Sequence, residues 1–295
     1  MKTSLTKTFA ALALGVCGIG FAQDAPAPTA ESGNIAATKL GELTSEATAL
    51  LKKSDAAPAV GLTFALFVGR EVNENSPVRM PTFSKRDVAS VEALLEKKNG
   101  LVERNAATMT SKEKAFYLKP KRENVLAMLR RVADEARETD SIWVVFSGDG
   151  VSYEGDAAFL PQGASLDDPA TWIFESEVRE ILAASPAKNV VAVWLTHRRT
   201  YKVENPTPRE RRAIEPKEGA ERVAIFACSS GESAWESQDR ELDLFWSEFL
   251  SAAEATDEPL RGETLRRVFD AAAAKTSEAT QNNKIGAQTP EWQNF

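Results

Sequence analysis

The sequence predicts an α/β domain built round a largely parallel sheet with helices on both faces. Two observations carry this. Ser141-Ile-Trp-Val-Val-Phe146 and Asn189-Val-Val-Ala-Val-Trp-Leu195 are apolar runs without polar alternation, as in strands buried on both faces. Between such runs lie segments with apolar residues at helical spacing, so strand and helix alternate along the chain.

The elements follow in order. Val60 to Val68 is a first buried strand, stopped by Gly69. Arg86 to Lys98 carries Val88, Val91, Leu94 and Leu95 on one helical stripe, closed by Gly100. A short second strand is expected at Asn99 to Arg104. Arg122 to Arg137 is a second helix, with Val125, Leu126, Leu129, Val132 and Ala133 on one side. The strand 141–146 follows, then a helix near Ile173 to Ala184 and the strand 189–195. Arg222 to Ala227 is a fifth strand, and Leu242 to Ala253 and Leu260 to Lys275 are closing helices. Trp143, Trp172, Trp194 and Trp246 fall on faces expected in the core. Open parallel sheets hold their ligands beyond the carboxyl ends of the strands, so chemistry is expected after residues 146, 195 and 227.

The first 22 residues resemble a secretory signal: Lys2 and Lys7, an apolar core from Phe9 to Phe21, and Gly20-Phe21-Ala22 as a cleavage site before Gln23. Leu14-Gly-Val-Cys17 is a poor lipid-attachment box because Val16 precedes the cysteine, so export without a lipid anchor at Cys17 is expected, to a periplasm or the medium. Residues 23–57 are an Ala/Pro-rich linker with a short helix expected from Ala36 to Lys52, and 58–295 form the single folded domain. No integral membrane segment is expected. Loss of the signal takes the formal charge from -7 to -9, which argues against nucleic acid or anionic lipid as partner. Cys228 is then the one remaining thiol, and His197 the one imidazole of the chain, so no zinc cluster and no cofactor is expected. Asp167-Asp168 is an acidic loop that leaves calcium binding open, with no dense ligand loop visible around it. Gly148 and Gly150 lack the Lys-Ser/Thr of a phosphate cradle.

Seven short motifs in sequence order resemble the caspase-like cysteine peptidase clan, bacterial metacaspase relatives included. Ala65-Leu-Phe-Val-Gly69 is similar to its first strand, Lys85-Arg-Asp-Val88 to the start of the next helix, and Pro120-Lys-Arg-Glu-Asn-Val125 to the helix before the third strand. Ala158-Phe-Leu-Pro161, Cys228-Ser-Ser-Gly-Glu-Ser-Ala-Trp-Glu236, Leu244-Phe245 and Gln288-Thr-Pro290 resemble later clan segments. The resemblance implies a three-layer α-β-α fold with a six-stranded, mostly parallel sheet in the order 2-1-3-4-5-6.

In that clan the third strand ends Phe-Ser-Gly-His-Gly, with His as catalytic base; here the turn reads Phe146-Ser-Gly-Asp149-Gly150. The clan nucleophile lies in Asp-Ala-Cys-x-Ser-Gly after the fourth strand; here Thr196-His-Arg-Arg-Thr200 stands there, with Arg198 at the cysteine. The 49-residue interval from Asp149 to Arg198 fits the clan. A guanidinium stays protonated and is no nucleophile. The resemblance therefore implies a pseudoprotease that binds a peptide or protein, with Asp149, Gly150, Thr196, His197 and Arg198 on the cleft floor and an Asp149–Arg198 charge pair across it.

Two other readings stay open. Phe226-Ala-Cys-Ser-Ser-Gly231 superficially matches the nucleophile motif, so a relocated His197–Cys228 dyad, oriented by Asp149, is an active-peptidase alternative. Against it stand the 79 residues from Asp149 to Cys228, and the simpler role of Cys228 as a small hydrophobe at a strand end. A one-residue slip of the fourth strand would move His197 to the lost cysteine position; otherwise it is a solvated imidazole in a turn. The second reading is a generic exported α/β protein lacking the clan's strand order. The charged connection 200–221, with Arg209-Glu-Arg-Arg212, reads as a solvated loop; in active relatives this place can be self-cleaved.

Overall fold

Six strands form the central sheet, all parallel except an antiparallel edge strand contributed by the last residues of the chain. In the computed structural model, residues 61–70, 83–111, 118–204, 220–283 and 285–295 are described. The signal segment, the linker, the helix expected from Ala36 to Lys52 and the arginines of 209–212 lie outside the described residues.

The strands of this sheet are β1 (Thr63–Gly69), β2 (Ala106–Thr110), β3 (Ser141–Gly148), β7 (Asn189–Thr196), β8 (Glu221–Phe226) and β11 (Glu291–Asn294). Helices α1 (Ser84–Asn99), α2 (Arg122–Glu135), α3 (Glu175–Ala184), α4 (Leu244–Glu254) and α5 (Gly262–Asn283) cover it. Numbered within the sheet, the strands run 2-1-3-4-5-6, as expected.

The period of two sorts each strand between two cores. Ala65, Trp143, Val193 and Ile225 pack on one face with α1, α4 and α5. Leu66, Phe146, Trp194 and Phe226 pack on the other with α2 and α3. On that second face Phe146, Trp194 and Phe226 sit in register across β3, β7 and β8. Phe146 stacks on Trp194 at 4.5 Å and Trp194 on Phe226 at 6.2 Å between centroids. All four tryptophans assigned to the core are buried.

The second strand lies further along than expected. Leu101 and Val102 are followed by a single 3₁₀ turn at Glu103–Asn105, and pairing with β1 begins at Ala106. At the sheet edge this strand buries only Met109 and Thr110, so it lacks the apolar run that marks the others.

After β3 the chain forms a small antiparallel sheet: β4 (Gly150–Tyr153), β5 (Asp156–Phe159) and β6 (Ile173–Phe174). Val151, Tyr153, Trp172 and Phe174 give it its own apolar cluster. A second short ladder, β9 (Glu236–Ser237) with β10 (Leu242–Asp243), leads into α4. Among the described residues no helix is long and apolar enough to cross a membrane.

Candidate functional site

The exits of β3 and β7 lie side by side, with Gly148 opposite Thr196. Asp149 and His197 therefore leave adjacent strands together, at the carboxyl end of the sheet. Two glycines make the turn after β3 possible. Gly148 has φ +149° and packs where a Cβ would come 2.8 Å from the Arg70 carbonyl oxygen. A Cβ on Gly150 would come 2.7 Å from the His197 carbonyl oxygen and 2.7 Å from the Thr196 Cβ. The Thr196 side chain and the His197 carbonyl thus rest directly on the turn that carries Asp149. The Asp149 carbonyl accepts the Leu160 N–H at 2.9 Å. Asp149 and Thr196 are buried, and His197 is half-buried.

Arg198 turns away from this turn. Its guanidinium lies 4.3 Å from the centroid of Phe226, so the side chain is on the face of α2 and α3. Nη1 donates to the Cys228 carbonyl at 3.0 Å and forms an ion pair with Glu291 of β11. The side chain is 5% exposed. The partner expected from the sequence was Asp149; the observed ion pair is with Glu291, because residues 194, 196 and 198 follow one face of the strand. A buried guanidinium engaged in this way is a fastener between β7, β8 and β11 rather than an open contact on a cleft floor.

Glu291 was not singled out from the sequence, and neither was the chain of polar groups behind it. Its Oε2 accepts from Gln293 Nε2 at 3.2 Å, and Gln293 Oε1 accepts from Arg179 at 3.5 Å. Arg179 makes a two-pronged pair with Glu175, both contacts 2.8 Å. Partial burial pushes the Glu291 carboxyl up, but hydrogen bonds and charge from Arg198 outweigh it and hold the group below its ordinary range. Burial dominates at Glu175 and raises it, against the opposing pull of Arg179.

Cys228 is fully buried. Its thiol donates to the Thr196 carbonyl at 3.4 Å, and burial pushes its pKa far above the ordinary range. The relocated dyad needs a thiolate at this sulfur. The observed environment stabilises the neutral thiol and packs it into the core beside Ala227 and Ala234.

The chain just beyond Arg198 is tied down on both sides. The Arg198 N–H donates to the Glu232 carbonyl at 3.1 Å, and its carbonyl accepts from Gly231 at 2.7 Å. Ser152 of β4 donates its N–H to the Arg199 carbonyl and accepts from Tyr201 N–H, both 2.9 Å. Residues 199–201 thereby add to the β4 edge in parallel, and the Tyr201 ring meets Trp172 edge-on.

The sequence matches no protein-family model and no curated protein. Solved structures do resemble the fold. Caspase-1 from Spodoptera frugiperda superposes with a TM-score of 0.52 at 11% identity, over 79% of this chain and 86% of the insect chain. The fold is caspase-like. A protein from Geobacter sulfurreducens is also similar, with a TM-score of 0.54 at 14% identity, over 79% of this chain and 92% of its own. Asp149, His197 and Arg198 follow the ends of β3 and β7, the two central strands of the sheet.

Proposed function

We propose that this chain is an exported caspase-like domain that binds a peptide or protein without cutting it. The observation that carries the reading is the state of Arg198. At the strand exit where the clan's nucleophile resemblance falls, the side chain is a buried guanidinium held by Glu291 and stacked on Phe226. A guanidinium offers no lone pair for attack on a carbonyl. Asp149 stands at the position of the clan's imidazole base, and a carboxylate is a poor carrier for the proton that the leaving amine must receive at neutral pH.

Cys228 supports the same reading. A relocated nucleophile would need a thiol that ionises near neutral pH, and burial opposes that. Gly150, expected on the cleft floor, is buried, and what remains for ligands is the rim formed by half-buried His197 and the exposed side chains of Arg199 and Thr200. Such a surface recognises by shape and charge; fold alone does not name its ligand. The test is retention: the full chain is immobilised and offered pooled peptides with Arg, Lys or Asp at a central position. Enrichment of intact peptides is expected, weakened by His197→Ala. Recovery of cleaved peptides alone would contradict the proposal.

A further inference from the structure

The joint between α1, the end of β3 and the β9–β10 ladder is built from carboxyl groups. Asp87 of α1 accepts the backbone N–H of Asp243 on Oδ1 at 2.8 Å and the Ser147 hydroxyl on Oδ2 at 2.6 Å. Asp243 caps α4 by accepting the Trp246 N–H at 2.9 Å. The Trp246 indole N–H donates to Ser90 Oγ at 2.7 Å, and Ser90 Oγ donates to the Asp87 carbonyl at 2.7 Å. Glu236, directly opposite Asp243 in the ladder, accepts the Phe83 N–H at the start of α1 at 3.0 Å. One closed circuit thus fastens α4 and its ladder to α1 and β3, and Ser147 is two residues from Asp149.

Among the described residues, the ionisable groups whose charges act on Asp87 and Asp243 are carboxyls. Asp87 faces Ser147 from β3, Asp243 from β10 and Glu236 from β9; Asp243 also faces Cys228. The adjacent Arg86 is exposed and pairs with Glu241, and Arg240 donates to the Ser247 carbonyl of α4. Among the described residues neither Asp87 nor Asp243 has an ion pair. Both are buried. Two such carboxyls cannot both ionise without cost, so they titrate as a pair.

We infer that Asp87 and Asp243 form a proton-operated clasp, in which a bound proton holds the β9–β10 ladder and the start of α4 against α1 and β3, and its loss to solvent loosens that joint. The inference does not depend on whether the domain cuts or only binds. Burial, the largest influence, and the charge of Glu236 raise Asp87 to about 7, against the lowering hydrogen bonds of Ser147 and Asp243; burial and the charge of Asp87 likewise raise Asp243. The folded joint therefore holds more protons than the opened one between the ordinary Asp range and about 7, and opening becomes easier as pH rises through that window.

Hydrogen exchange of the full chain, corrected for the intrinsic rate, tests this at residues 236–247, with α3 as the internal reference. A carboxyl titrating near 4 when open and near 7 when clasped predicts an opening constant roughly thirtyfold larger at pH 8 than at pH 5.5. In Asp87→Asn the rise is much reduced, since only Asp243, raised by its own burial, is left to titrate. If that variant does not fold, Ser147→Ala decides: it removes a hydrogen bond that favours the ionised form, so the rise moves to higher pH. Opening that stays flat with pH, that keeps its slope in Asp87→Asn, or that is unmoved in Ser147→Ala overturns the inference.

Discussion

Arg198 at the exit of β7 and Glu291 at the start of β11 form an ion pair across the intervening strand β8, with the Phe226 ring beneath the guanidinium. The pair joins the exit of β7 to the antiparallel edge of the sheet. A side chain committed to holding strands together is unavailable for attack.

The pair should behave as a unit. Glu291→Ala leaves the guanidinium buried and unpaired, and a loss of about 2 kcal/mol is expected, below the figure for a fully buried pair because Glu291 is 30% exposed. The double variant Glu291→Ala/Arg198→Met removes the stranded charge and should recover part of that loss. Urea unfolding of the four chains in a double-mutant cycle measures the coupling. Additive losses would mean that the two residues do not sense each other.

The same pair fixes a pH dependence. Glu291 has its pKa lowered in the folded chain, so its contribution is present above the ordinary Glu range and is lost as pH falls through the lower folded value. The urea midpoint should therefore fall on acidification below about pH 4.5, and this part of the fall should vanish in Arg198→Met. An identical acid limb in both chains would contradict the assignment.

Burial makes a prediction for Cys228. Its thiol should react with iodoacetamide far more slowly in the native chain than in urea, and the native rate should stay low up to about pH 9. Rapid native labelling at neutral pH would revive the relocated dyad.

Gly150 is a steric prediction. Gly150→Ala pushes a methyl group against the His197 carbonyl and the Thr196 side chain, and a backbone oxygen cannot swing aside. A loss of about 2 kcal/mol in thermal or urea unfolding is expected. A neutral effect would mean that the two strand exits are further apart.

Much of the fold was legible because parallel strands buried on both faces leave long apolar runs: β1, β3, β7 and β8 each lie within about three residues of their expected limits. β2 was displaced because an edge strand that reads Ala-Ala-Thr-Met-Thr has no such run. β11, Glu-Trp-Gln-Asn, is a strand only by pairing with β8, and nothing within it signals this. At the site the strand exits were visible as Gly-rich or polar stops, and β3 and β7 end there side by side, with Gly148 opposite Thr196. The direction of Arg198 was not visible, since its partner is 93 residues away in sequence. The Asp87–Asp243 contact spans 156 residues and was invisible for the same reason. Pairing partners are chosen by the tertiary fold, and a local pattern does not contain them.

The central claim is that this caspase-like domain does not cleave. Its most direct test is peptidase turnover by the purified full chain on pooled peptides with Arg, Lys or Asp at the cleavage position, with and without calcium, beside Cys228→Ala. The account predicts no turnover above background in either chain. Turnover by the natural chain that disappears in Cys228→Ala would contradict it and establish a relocated nucleophile.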